Sequence, residues 1–398
     1  MTHKHSIPGL IFMLAGLTAM APLAIDAYLP AIPSIADDIG ASVHDVELSI
    51  SFFLLGFGFG QLMGGPLSDH FGRRRSAFTG LLVFVVASFL ICFIDDVHAL
   101  WAFRILQALG GGIAVVNANA IIRDISSGKD SAKTLSNMAL ILMLAPLLAP
   151  VIGSFILGVI GWRAIFIFLL VYAVLLIIVF AVNMPETRVK HEHKISLWKR
   201  YWMVLSHRQA LAYLFTLACA QGGLFAFITG SPSVYMGYFN LSENQYPIFF
   251  GVNILALIVS NRINNRMLRD KSPHQLLGLG QGMQFAAAIL MFAYIYLVDQ
   301  HSVYIFALLM MCIMACHSFI MSNSMSSTIE HFPTNSATAT ALLGACGFST
   351  GALTGSLVGI YGDGTPLPMA TVILCCTALG IVLRMSLQKR EEPITQEA

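Results

Sequence analysis

Two side chains in this sequence stand where ionised groups are rarely found. Asp26 lies near the end of a long apolar run that begins at about residue 8, and Arg104 lies inside another that begins near residue 98. A charge held within such a stretch costs at least about 2.5–3.5 kcal/mol, so a functional reading is the default. A carboxylate at depth can take up and release a proton, and a guanidinium beside it can tune that exchange. Asp26 is the one acidic residue expected well inside a span, and Arg104 the one basic residue. The plainer alternatives are a carboxylate that reaches interfacial water and an arginine that pairs with backbone carbonyls. Gln107, Gly111 and Val115 continue the Arg104 face at helical spacing.

Other chemistry is thin. Of 12 histidines, only His317 falls within an apolar run, and there is no HExxH pair. His191-Glu192-His193 lies in a polar loop and reads as solvated. The seven cysteines all sit in apolar runs without paired CxxC or Cys/His ligand spacing, so they read as small core hydrophobes. Nothing here suggests a metal, a cofactor or a catalytic constellation. No ring of filter residues suggests a channel.

The elements that must position Asp26 and Arg104 are membrane helices. The chain has 398 residues, 57% hydrophobic and 11% charged, against about 25% charged in soluble domains. A helix needs about 20 apolar residues to cross the hydrocarbon core. Such stretches recur at roughly 8–30, 48–68, 76–94, 98–121, 135–159, 164–183, 209–229, 246–261, 275–297, 302–323, 337–360 and 366–387. The eighth is the weakest, being short and holding Asn253. The runs are continuously apolar, whereas barrel strands alternate, so helices are expected. The first run is too long for a signal-peptide core and contains Pro22 and Asp26.

Charge sets the orientation. With the N-terminus inside, 20 of the 22 Lys and Arg residues fall on the cytoplasmic side, as the positive-inside rule asks. They cluster at 73–75, 123–133, 188–208, 262–271 and 384–390. The outer loops then hold Asp37, Asp38, Asp45, Glu47, Asp95, Asp96, Glu243, Asp299 and Asp363. Both termini are expected in the cytoplasm of a multi-pass inner-membrane protein. The basic loops match this rule, so no nucleic-acid partner is implied. The longest loop divides the spans six and six. The expected organisation is an N-terminal bundle at 1–183, a cytoplasmic linker at 184–208 and a C-terminal bundle at 209–398. Asp26 and Arg104 both sit roughly 6–8 Å below the outer interface at 1.5 Å per residue, so they could share one water-filled cavity.

Short motifs carry a resemblance. Gly65-Pro-Leu-Ser-Asp69-His-Phe-Gly72-Arg73-Arg74-Arg75 resembles the loop signature of the major facilitator superfamily, with His70 where Arg is usual. Arg104-Ile-Leu-Gln107 resembles that family's proton-coupling motif, and Ala145-Pro146-Leu-Leu-Ala-Pro150-Val-Ile-Gly153 its antiporter motif. Ala24-Ile-Asp26-Ala-Tyr28-Leu-Pro30 is similar to the signature of twelve-span drug:proton antiporters. With Gly161-Trp-Arg163, Pro185-Glu-Thr187 and Ile329-Glu-His-Phe-Pro333, the pattern resembles the Bcr/CflA branch of bicyclomycin and phenicol exporters.

The resemblance implies an all-α membrane protein with the major facilitator fold, two six-helix bundles related by a pseudo-two-fold axis. It implies a monomeric carrier that expels small amphipathic drugs against protons, with no cofactor; import or exchange of a metabolite is the alternative. Asp69, Arg73, Arg123 and Asp124 would form a charge cluster that latches the inner gate. Gly56, Gly60 and Gly64 line one face of the second span, and Gly347, Gly351, Gly355 and Gly359 one face of the eleventh. In the resembling fold those two helices meet at the interface that moves. Pro146 and Pro150 would bend the fifth span. Tyr28, Gln107, Phe225, Phe227, Tyr235, Asn253 and Asn323 are the substrate-pocket candidates.

The charge count makes a direct prediction. Lys190→Cys should resist an impermeant thiol reagent in intact spheroplasts and react after permeabilisation; ready labelling of intact spheroplasts overturns the topology.

Overall fold

The computed structural model describes residues 10–125, 128–184, 197–332 and 336–388. Among these residues all regular structure is helical. Spanning in lipid requires backbone bonds to close within each segment, and helices do this locally. The helices are α1 (Leu10–Asp26), α2 (Ile32–Ile39), α3 (Val43–Phe71), α4 (Arg73–Ile91), α5 (Val97–Ile125), α6 (Gly128–Val159) and α7 (Arg163–Asn183). They continue with α8 (Leu197–Leu205), α9 (Arg208–Pro232), α10 (Tyr246–Met267), α11 (Pro273–Leu297), α12 (Val303–Glu330), α13 (Ser336–Ile360) and α14 (Leu367–Leu387). α1 and α2 form one broken span, and a π-helical turn, Ser233–Tyr238, extends α9. Among the described residues eleven spans are long and apolar enough to cross a membrane, and α6, whose apolar part is Leu144–Val159, supplies a twelfth. The eighth, α10, reaches Met267, well past the expected 261, because Arg262 and Arg266 lie on its exposed end rather than in a loop.

The spans pack in two sets of six. α1, α3, α4, α5, α6 and α7 pack together, as do α9, α10, α11, α12, α13 and α14. The sets meet through α3 against α13 and α6 against α10. These are the second and fifth spans of each set, so exchanging the halves maps one contact onto the other, as a pseudo-two-fold requires. Large apolar side chains such as Phe155, Val182, Leu290 and Tyr304 are exposed on the perimeter, where lipid covers them. α8 packs on the second half, with Val204 buried among Leu214, Leu217, Ala339 and Leu343. Below, the end of the molecule that holds Leu10 and Leu387 is the terminal face, and the opposite end is the far face.

The glycine stripes do different jobs from the one expected. A Cβ on Gly56 would sit 2.5 Å from the Ile105 carbonyl oxygen, and one on Gly60 2.5 Å from that of Leu109. Gly64 faces Ile113. That stripe packs α3 on α5 inside one half and does not meet α13. The α3 face toward α13 carries Gly58 instead, whose Cβ would rest 3.5 Å from the Ala345 carbonyl oxygen. On α13, Gly347 and Gly351 accommodate Gln221 and Phe225 of α9 within the second half. Of the α13 stripe, Gly355 and Gly359 reach across to α3, Gly355 toward Ser51 and Gly359 toward Leu48, while Gly355 also meets Thr229 of its own half. The helix lattice puts residues four apart on one face, but the partner changes along a tilted helix.

At the far face, Gly161 (φ 109°) turns the chain so that Arg163 pairs with Asp38 at 2.6 Å and Trp162 donates to the same carboxylate. α6 is helical through Pro146 and Pro150.

A substitution pair separates the two glycine roles. Gly355→Leu should insert normally and lose transport, because the side chain wedges α3 from α13. Gly60→Ala should instead lower thermal stability by about 1–3 kcal/mol, as overpacking does. Melting curves and transport assays on both check this; full transport by Gly355→Leu overturns it.

Candidate functional site

α1 ends at Asp26, and the chain turns through Ala27 and Tyr28 into a short 3₁₀ segment, Leu29–Ala31, that holds Pro30. Pro30 lacks an N–H, so the helix breaks there rather than running on. Asp26 is buried, 4% exposed. No hydrogen bond or ion pair reaches its carboxylate among the described residues. Tyr246 at the start of α10, in the other half, lies within electrostatic reach of it. Tyr246 in turn hydrogen-bonds Ser231 of α9 at 2.7 Å. The corner is held from behind by Gly153 of α6, where an added Cβ would land on the Ala27 carbonyl oxygen. Only glycine lets α6 approach this closely, which gives the last residue of the antiporter-like motif a physical role.

Arg104 is fully buried and lies apart from Asp26 in its contacts. Its Nη1 donates to the Ala24 carbonyl at 3.1 Å and to Gln107 Oε1 at 2.7 Å, and Gln107 donates to Ser88 at 2.8 Å. The guanidinium lies over the rings of Phe53 at 4.3 Å and Tyr28 at 4.8 Å, with Phe166 at 6.0 Å. Aromatic faces attract a desolvated cation strongly. Its Nε and Nη2 have no hydrogen-bond partner. Arg104 is therefore held by the first half, and the structure forms no Asp26–Arg104 ion pair. What couples them is the chain itself, since Arg104 grips Ala24, two residues before Asp26.

A second deep carboxylate corrects the sequence reading. Glu47, expected in an outer loop, is fully buried one turn into α3. Ser42 caps the helix by accepting from the Asp45 amide at 3.1 Å, so α3 begins before Glu47 and draws it inward. Glu47 Oε1 accepts from the Ser233 amide at 2.9 Å, and Oε2 lies 3.2 Å from His44 Nδ1. Ser233 belongs to the other half. The signal that could have found Glu47 is the Ser42 cap with Glu47 a turn and a half later on the face of Ser51.

The pocket candidates divide. Tyr235 and Phe227 cluster with Tyr246, Phe249, Phe250 and Phe306 between α9, α10 and α12. Asn253 lies beside them, its Nδ2 donating to the Phe249 carbonyl at 2.8 Å. The Tyr235 hydroxyl and Asn253 Oδ1 are buried without a standard hydrogen bond. Tyr28 and Gln107 instead serve the Arg104 cage inside the first half, Tyr28 bonding Ser49 at 2.9 Å. Phe225 packs on Phe348, and Phe348 on Phe57 of α3. Asn323 bonds Asn264 at 2.8 Å within the second half. A cleft of about 530 Å³ opens between α6 and α10, lined by Leu147, Ser154, Asn244 and Gly251. A wider one of about 920 Å³ lies near the terminal face around Arg74 and Phe78, away from Asp26.

Comparison with known proteins gives the family. The Major Facilitator Superfamily profile matches residues 14–356. The chain belongs to the Major Facilitator Superfamily. It is 30% identical over 385 residues to a bicyclomycin resistance protein homolog of Haemophilus influenzae, covering 96% of each chain. It is 28% identical over 289 residues to a chloramphenicol resistance protein of Pseudomonas aeruginosa, covering 72% of this chain and 69% of that one. In fold it resembles a bacterial homolog of the human lysosomal transporter Spinster, solved inward-facing and unoccupied: TM-score 0.74, 15% identity, 98% of this chain and 100% of that one. The Bcr/CflA resemblance read from the motifs agrees with these relatives, and the protein is a transporter, not an enzyme.

The superfamily loop motif folds as a compact network at the terminal face. Gly72, with φ of 98°, links α3 to α4. This brings Arg73 to Asp69 at 2.6 Å and to Ser68 at 2.9 Å, and Ser68 donates to Asn117 of α5 at 2.6 Å. Asn117, absent from the sequence candidates, also donates to Ser76 at 3.2 Å and so ties three helices. The side chains of Arg123 and Asp124 lie outside the described residues.

Gly153 gives a test with an internal control. Gly153→Ala should cut transport by roughly tenfold or more, about 1.4 kcal/mol in the barrier, because the Ala27 corner must move and Asp26 with it. Gly158, on the same helix with open space around it, should tolerate Ala. Equal activity of the two variants in drug-efflux assays removes the role given to the corner.

Proposed function

We propose that this transporter exports small amphipathic, drug-like compounds from the cytoplasm in exchange for protons, acting as a monomer in the inner membrane. Both termini and the 184–208 linker between the 1–183 and 209–398 bundles are then cytoplasmic, and the far face is the outer one. The named functions of the relatives support the substrate class, and the distribution of Lys and Arg supports the orientation.

The observation that carries the proton reading is Asp26. It is buried at the corner of the first span and is bonded to nothing among the described residues. A carboxylate fixed by an ion pair has a reason to stay ionised, whereas an unpaired one responds to its surroundings. When the working cycle opens a wet path to this corner, Asp26 is hydrated and ionised; when that path closes, the charge loses its water and the protonated form is favoured. A substrate that enters beside Asp26 competes with the proton, so each displaces the other and exchange results rather than leak.

The substrate wall is the aromatic cluster of Phe227, Tyr235, Tyr246, Phe249, Phe250 and Phe306. Flat apolar ligands suit such a wall, and the Tyr235 hydroxyl and the Asn253 side chain beside it are its polar handles. Arg104 remains in its cage and fixes the corner through Ala24.

Asp26→Asn is the decisive variant, since it keeps the shape but cannot titrate. Adding chloramphenicol to the purified wild-type protein should release protons into a weakly buffered solution. The variant should bind chloramphenicol without release and fail to concentrate it against a gradient. Normal release and normal active export by Asp26→Asn overturn the proton assignment.

A further inference from the structure

We infer that Glu47 is the gating carboxylate of the far face: it positions the two halves against each other there and sets how readily that face opens. The inference rests on the chain working as an alternating carrier, and it does not depend on which substrate or ion is carried.

The geometry is specific. α3 turns His44, Glu47, Leu48 and Ser51 toward the second half, a helical face distinct from the Gly56, Gly60 and Gly64 face that locks onto α5. Leu48 meets Gly359, and Ser51 meets Gly355. His44 nests against Gly362, where an added Cβ would lie 2.5 Å from its ring. Glu47 is the one member of this face whose side chain hydrogen-bonds across, to the Ser233 amide at 2.9 Å. Ser233 opens the π-helical turn after Pro232, and its amide also points at the Gly230 carbonyl, so Glu47 shares the amide at the junction of α9 and the π turn.

Both carboxylate oxygens of Glu47 are used while the face is closed, one by Ser233 and one by His44. A fully buried carboxylate needs both, because an ionised group left without partners in such a place is strongly disfavoured. Asp26, Tyr28 and Tyr246 surround the same region, and Asp363 at the end of α13 is within electrostatic reach of His44. Opening the far face must draw α3 from the π turn. The Ser233 bond then breaks and water takes its place. Closure and the Glu47 bond therefore form and break together. A second bond across the halves, from Ser154 to the Glu243 carbonyl at 2.6 Å, is independent of Glu47 and keeps the halves associated when Glu47 is altered.

The test reads the far face directly. Nitroxide labels are placed on Asp37→Cys at the end of α2 and Tyr361→Cys after α13, both exposed. The background lacks the seven native cysteines, and the protein is studied full length in nanodiscs. Pulsed-dipolar distances are compared for Glu47, Glu47→Gln and Glu47→Ala. The parent should show mainly the short distance. Ala should raise the ratio of long to short by about tenfold or more, the change expected on losing one charge-assisted hydrogen bond. Gln keeps shape and one acceptor but not the charge toward His44, so it should fall between the two. Superimposable distributions for all three overturn the inference; if Ala does not elute as a single folded species, the parent and Gln comparison decides alone. Chloramphenicol export is measured on the same proteins. Shifted distances with no export by the parent leave the gate standing and refute the efflux reading. Export by the parent with unshifted distances does the reverse.

Discussion

Hydrocarbon offers no hydrogen bonds, so every charge placed at depth must be satisfied by the protein or must change its state. Arg104 takes the first route, and the role proposed for Asp26 takes the second. Arg104 is wrapped by Phe53, Tyr28 and Phe166 and bonded to Ala24 and Gln107. A guanidinium does not lose its proton, so a permanent cage is its stable solution. Asp26 has burial without a partner, and a carboxylate can accept a proton where a guanidinium cannot release one. Arg104 fixes the corner, and the absence of a bonded partner at Asp26 among the described residues is what the proposed proton exchange builds on.

Close packing separates what is rigid from what can slide. Backbone meets backbone where Gly56 and Gly60 sit on α5 and where Gly80 and Gly110 face each other between α4 and α5. Such contacts fix helices as one body, since little can relax. Across the halves most contacts run through side-chain tips: Ser51 at Gly355, Leu48 at Gly359, Phe348 against Phe57. Tips can re-pack as the interface shifts. Each half thus behaves as a unit, and α3 carries both roles on two faces.

The hydrogen bonds from Glu47 to Ser233 and from Ser154 to Glu243 join the halves at the far face. The Asp69–Arg73 pair at the terminal face joins α3 to α4 within one half. Exposed pairs contribute little alone, but Arg73 is mostly buried, and through Ser68 it reaches Asn117 of α5. That network shapes the terminal end of the first half.

Much of this protein was legible in the order of its residues. Apolar length set the spans, because lipid acts on each segment separately, and the longest loop divided them six and six. The motif at Gly65 to Arg75 and the lone Asp26 were visible for the same reason: both depend on local chain. What tertiary structure decided was which faces meet. Four-residue glycine spacing is the same whether a helix leans on its own half or the other, so Gly56, Gly60 and Gly64 could not be told from Gly355 and Gly359 until the tilt of α3 was known. Phe225 and Asn323 are as aromatic or polar as Tyr235 and Asn253, and only packing separates them. Glu47 was hidden because a carboxylate four residues into a helix reads as a loop charge. The Ser42 cap hints that it lies inside the helix, but its partner Ser233 is 186 residues away in the chain, and no local pattern records that partner.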